Sequence, residues 1–153
     1  MSYVTPIFDR TLADITNKTS KAYFNVADWV RVNGNAEYIK ELIESFLGIS
    51  IQLDTVSTPT TATIPTVTDL NTLLANIEHL RTVSEVIQTT AIKHDWVAGI
   101  GEKAPDYLDV NKWEQTIDVI CHVYSNYDDY ALRFPRTGIA KSGVGRTRNN
   151  KFR

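Results

Sequence analysis

NVADWVRVNGNAEYIKELIESFLG, residues 25–48, sets Trp29, Val32, Ala36, Ile39, Ile43 and Phe46 at alternating steps of three and four. That spacing lines apolar side chains along one face of an α-helix. Asn25 suits the N-cap, Asp28 falls at N3 near the positive end of the helix dipole, and Phe24 ahead of the cap faces Trp29 as a hydrophobic staple. Gly48 is placed to stop the helix. Gly34, inside it at a cost of about 1 kcal/mol relative to alanine, predicts either a close backbone contact or a local break.

Two further stretches repeat the pattern. Over about 67–88, Leu70, Leu73, Ile77, Leu80 and Ile87 form a stripe behind Thr66 as cap and Asp69 at N3. Over about 110–130, Val110, Trp113, Ile117, Ile120, Tyr124 and Tyr127 form the most regular one, with Asp109 read as the cap and Leu108 as the staple to Trp113. The entry YLDVNKW (107–113) echoes YFNVADW (23–29), which is read as convergence on one capping solution, with a remnant of duplication as the alternative. Residues 55–66 hold six threonines and two prolines and favour extended backbone, while the alternation Ile49, Ile51, Leu53 is that of one short strand. The expected fold is mainly α: an elongated three-helix bundle over residues 23–132, packed antiparallel, with an N-terminal arm (1–22) and a C-terminal arm (133–153).

A chain of 153 residues that is 42% hydrophobic can bury one sizeable core. Its single cysteine, Cys121, excludes a disulfide within the chain, and no apolar run is long enough for a membrane span. The net charge of −2 is unevenly spread: all eighteen acidic residues precede Arg133, and seven of the sixteen basic ones lie from Arg133 onward. Residues 1–132 thus carry −9 and residues 133–153 carry +7. Such a segment is drawn to acidic surfaces, neighbouring copies of its own body included, or to nucleic acid.

The motifs of common chemistry fail on their mechanics. Gly99-Ile-Gly101-Glu-Lys-Ala104 has dinucleotide-fingerprint spacing, but Pro105 follows where a helix start is needed under the pyrophosphate. His79, His94, His122 and Cys121 show no metal-ligand spacing, and Glu37, Glu41 and Glu44 read as a solvated acidic face. Asn126, Asp128 and Asp129 lack the rest of a calcium loop. No catalytic, cofactor or metal site is expected, and the reading is non-enzymatic. Trp96 is the one tryptophan left free for binding a sugar.

The final stretch, RFPRTGIAKSGVGRTRNNKFR, has too few apolar residues for a core of its own. It reads as an assembly arm: Phe134, Ile139, Val144 and Phe152 dock into a neighbour, while Arg133, Arg136, Lys141, Arg146, Arg148, Lys151 and Arg153 pair with its acidic face. A solvated tail, and a nucleic-acid arm in a small accessory protein, are the alternatives.

FDRTLADI (8–15), followed by KAYFNVADWVRVN (21–33) and NAEY (35–38), resembles a module in tail-region structural proteins of phages infecting Gram-positive bacteria. There an Asp-Arg-Thr-x-x-Asp stretch precedes an aromatic-Asn-x-x-Asp helix start, then Arg-Val and a tyrosine. The resemblance covers about residues 8–45. It implies a tail, baseplate or neck subunit that assembles in the host cytoplasm into the virion, with copies of itself and other virion proteins as partners. Phe24, Trp29, Arg31 and Tyr38 would shape the first helix, and residues 1–22 and 133–153 would act as arms.

Overall fold

The structure, a computed structural model, describes residues 2–60, 63, 65–86, 88–99 and 103–126. Within them lie four helices: α1 (Leu12–Asn17), α2 (Val26–Leu47), α3 (Val67–Ser84) and α4 (Tyr107–Ser125). Each opens with a reciprocal capping box closed by an aspartate at N3: Thr11 with Asp14, Asn25 with Asp28, Thr66 with Asp69, and Asp106 with Asp109. The fold is mainly helical, and α2, α3 and α4 pack together.

The bounds of α2 are those expected, including the αL cap at Gly48. The third long helix starts three residues early. Asp106, held by Lys103 at 2.7 Å, accepts the backbone N–H groups of Leu108 and Asp109, and the Asp109 carboxylate accepts the Asp106 N–H in return. Asp109 is therefore N3 rather than the cap. Leu108 falls at N2, 59% exposed, so the expected Leu108–Trp113 staple does not form. The two echoing heptapeptides enter their helices in different registers, and the echo is not a shared capping solution. α3 ends at Ser84 instead of near 88, because Glu85 turns left-handed and the Tyr124 hydroxyl caps the Ser84 carbonyl at 3.0 Å.

The long helices run parallel, not antiparallel. Phe24, just before α2, meets Trp113 in the first half of α4, and Phe46 at the end of α2 meets Tyr124 at the end of α4. Tyr124 in turn bonds the end of α3, while the first turns of α2 and α3 line one groove. Connector length permits this. Residues 48–66 and 85–106 reach roughly 60 Å or more when extended, about twice the ~33 Å of a 22-residue helix. A short loop would have forced antiparallel neighbours.

The described parts of both connectors lie along the bundle as straps, around residues 51–54 and 92–96, and residues 2–10 form a third. The expected strand around Ile51 is one of these straps: its backbone is extended, but its partners are helix side chains. Asn76 accepts the N–H of Asp54 at 2.9 Å and donates to its carbonyl at 2.8 Å. Asn71 does the same for Trp96, Asn35 for Val4 and Asn111 for Arg10. Three glutamates complete the set by accepting strap N–H groups: Glu44 from Ile51, Glu78 from Ile92 and Glu114 from Ile7. These contacts supply what a β-ladder would, because backbone polar groups taken from water must be paired.

The core is the three stripes plus what the straps insert. Trp29, Val32, Ala36, Ile39 and Ile43 of α2, Leu73, Leu74, Ile77 and Leu80 of α3, and Val110, Trp113, Ile117, Ile120, Cys121 and Tyr124 of α4 are buried, joined by Ile51 and Ile92. Gly34 has neither the close contact nor the break expected of it: α2 runs through, and a Cβ built there meets nothing within 4 Å.

Gly34→Ala is therefore expected to stabilise the protein by about 0.5–1 kcal/mol, read as a higher urea midpoint with unchanged m-value. The Arg81 guanidinium, bidentate on Glu78, holds that carboxyl below its ordinary range despite partial burial, with the Ile92 N–H adding to the effect. A depressed folded pKa contributes stability above the ordinary glutamate value and loses it as pH falls. Glu78→Gln keeps the acceptor for Ile92 but not the charge, so its melting temperature should drop less than the wild type's between about pH 6 and pH 3.

Candidate functional site

Arg10, at the end of the strap of residues 2–10, packs with three charged side chains of the helices, Asp28 and Arg31 of α2 and Glu114 of α4. Arg10 reaches Asp28 at 3.2 Å and Glu114 at 2.9 Å. Arg31 grips Glu114 through Nε at 2.9 Å and Nη2 at 2.7 Å, and also bonds Asp28. The Arg10, Asp28 and Glu114 side chains are 2%, 6% and 1% exposed. Two guanidinium groups balance two carboxylates, which is what allows them inside.

Every oxygen of the acids is in use. Glu114 also accepts the Ile7 N–H at 2.7 Å, and Arg10 donates to the Ile7 carbonyl. Asp28 doubles as the N3 residue of the α2 capping box, so the helix start and the charge quartet share one side chain. Burial lowers the Arg31 pKa and its bonds to Glu114 and Asp28 raise it; the bonds prevail. Further along the strap, Tyr3 donates to Asp118 at 3.0 Å and its ring lies 5.6 Å from that of Tyr38; burial, with Asp118 beside it, pushes the Tyr3 pKa up.

Around the quartet the starts of the long helices leave apolar surface. Phe24 sits between Trp29 at 6.0 Å and Trp113 at 5.8 Å, so the expected α2 staple forms and spans to α4 as well. A groove of about 470 Å³ lined by Val26, Trp29, Pro59, Pro65 and Leu70 separates the starts of α2 and α3. A second space, of about 400 Å³, lies between α1 and the start of α4, bounded by Arg10, Leu12, Ile15 and Val110.

Of the residues singled out from sequence, Phe24, Asn25, Trp29 and Trp113 converge at this end, Asp109 stands beside it as an N3 residue, and Leu108 faces solvent. The proposed arm residues from Arg133 to Arg153, together with Tyr127, Asp128 and Asp129, lie outside the described residues, as does part of the Gly99–Ala104 stretch. Trp96 is not free: Asn71 clamps its backbone, its indole N–H donates to the Lys93 carbonyl, and Lys93 lies 4.6 Å over its ring. Cys121 is buried, which raises its thiol pKa. Among the described residues no cluster of three metal-ligating side chains occurs, and no helix is long and apolar enough to cross a membrane.

Arg10, Glu114 and the four clamping asparagines were missed. The available signal was polar residues inside apolar stripes: Glu114 beside Trp113 and Asn76 beside Ile77 sit where a solvated side chain does not fit. No protein-family model matches the chain, and no curated protein or solved structure matches it either.

Arg10→Met is expected to cost roughly 3 kcal/mol or more, because it leaves Asp28 and Glu114 with only Arg31 between them. Hydrogen exchange should show the Val4, Ile7 and Arg10 amides losing protection, while those of Leu73 to Leu80 keep it.

Proposed function

We propose that this chain is a structural subunit of a phage particle, in its tail, baseplate or neck, that assembles by repeated association through its arms. One observation carries the reading: the residues on which the resemblance rests act as a unit. Arg10 of the Asp-Arg-Thr stretch is the ion-pair partner of Asp28, Arg31 joins the same cluster, and Thr11 with Asp14 and Asn25 with Asp28 start two helices. A module in which a terminal segment is fastened to a helix start by buried charge suits a subunit that must present arms in fixed register.

The division of charge supports the same reading. The +7 of residues 133–153 has a −9 body as its natural partner in a neighbouring copy. Nucleic-acid phosphates would attract the same segment; the acidic body favours protein as the partner.

Purified particles that carry this chain at a fixed stoichiometry by mass spectrometry, and isolated protein that forms oligomers in sedimentation, are the expected results. A protein monomeric at all concentrations and missing from particles would end the proposal.

A further inference from the structure

The strap of residues 2–10 lies in a groove between α2 and α4 and is fastened there by side chains of the body. Its attachment runs from strap backbone and from Tyr3 and Arg10 to side chains of the body, namely Asn35, Asn111, Glu114, Asp28 and Asp118. The segment that ties it to α2 is not anchored in the same way. α1 has no buried residue, none of residues 11–23 is buried, and Leu12 is 65% exposed above the 400 Å³ space. With α1 unwound these thirteen residues reach about 40 Å, and with it kept about 30 Å, close to the ~33 Å length of α2.

The groove cannot stay empty without penalty. Lifting the strap out leaves Asp28, Glu114 and Arg31 with a net charge of −1 and strips partners from the Asn35 and Asn111 amides. Something with an arginine and an extended backbone must fill it. A second copy supplies that filler with every contact unchanged, since the groove cannot tell its own strap from a neighbour's. Only the path of residues 11–23 differs; none of them is buried, although five of the thirteen are partly covered. Exchange of an identical element is a low-cost route to association for this reason.

We infer that residues 2–10 dock in the groove between α2 and α4 of a second copy, so that Arg10 of one subunit completes the Asp28–Arg31–Glu114 cluster of the next. This rests on the assembly reading and specifies its contact. Where the exchange is reciprocal it closes a dimer; where it is passed on from copy to copy it builds a ring or chain.

Engineered crosslinks provide the test. Val4→Cys with Asn35→Cys, in a Cys121→Ser background and oxidised in the full-length protein, is expected to give species of two or more chains on a non-reducing gel, because Val4 lies directly on Asn35. Peptide mapping should place the bond between positions 4 and 35, and the ladder should vanish when either cysteine is omitted. A photoactivatable benzoylphenylalanine in place of Tyr3, which keeps the aromatic side chain that reaches Asp118, reads the next contact along the strap should the first variant fold poorly. Oligomers whose bonds are all within single chains would overturn the exchange and leave the assembly reading standing. A protein that is monomeric throughout and bonded only within its chains would overturn both.

Discussion

Parallel helices in one chain impose a constraint that decides the rest of this structure: after each helix the backbone must travel back the length of the bundle. The returning segments lie against the helices, where their N–H and C=O groups lose water, and among the described residues no neighbouring strand pairs with them. Helix side chains take that role. An asparagine that both accepts from and donates to one residue reproduces the closely spaced hydrogen-bonded pair of an antiparallel ladder. Asn35, Asn71, Asn76 and Asn111 do this at four places, with Glu44, Glu78 and Glu114 adding single acceptors. The price in helix propensity is small, about 0.7 kcal/mol or less per asparagine, whereas a buried backbone group left unpaired costs about 1–3 kcal/mol.

The quartet extends the same logic from dipoles to charges. Hydrocarbon of equal volume would stabilise the interior as well as paired ions do, and often better. What ions add is discrimination: a strap shifted by one residue would point Arg10 away and leave the acids exposed to one another. Because Asp28 also caps α2, a misplaced strap disturbs the helix start, and because Glu114 receives both Ile7 and Arg10, the strap's register is read twice. The three strap N–H groups that helix side chains accept, Val4 on Asn35, Ile7 on Glu114 and Arg10 on Asn111, step along the groove at three-residue intervals.

Much of this was legible in the sequence because it follows from periodicity and local chemistry. The stripes of α2, α3 and α4, the caps Asn25, Thr66 and Gly48, and the Phe24–Trp29 staple depend on residues close together in the chain. Helix direction was not legible: antiparallel packing is the default for short loops, and nothing in a Thr- and Pro-rich connector says that it lies in a groove. The entry to α4 misled because Asp106 and Asp109 are both good caps, and the choice between them turns on Lys103 and on reciprocity between the two carboxylates. Arg10 looked like part of a loose arm because its partners, Asp28 and Glu114, are 18 and 104 positions away. The tail residues Arg133 to Arg153 lie outside the described residues, so that part of the reading rests on composition.

Parallel packing also changes what the uneven charge means. The dipoles of α2, α3 and α4 add instead of cancelling, leaving the helix starts positive and the ends negative by roughly half a charge per helix, about 1.5 in all. At the starts, Asp28, Asp69 and Asp109 answer that field from N3. At the ends, Arg81 and His122 stand in the last turns of α3 and α4, and the dipole's influence fades within about one turn. The seven charges of the basic run exceed by several-fold what three helix ends can balance. The dipoles of its own bundle therefore do not account for the tail's charge; on the assembly proposed above, the rest is met by the acidic body of a neighbouring copy.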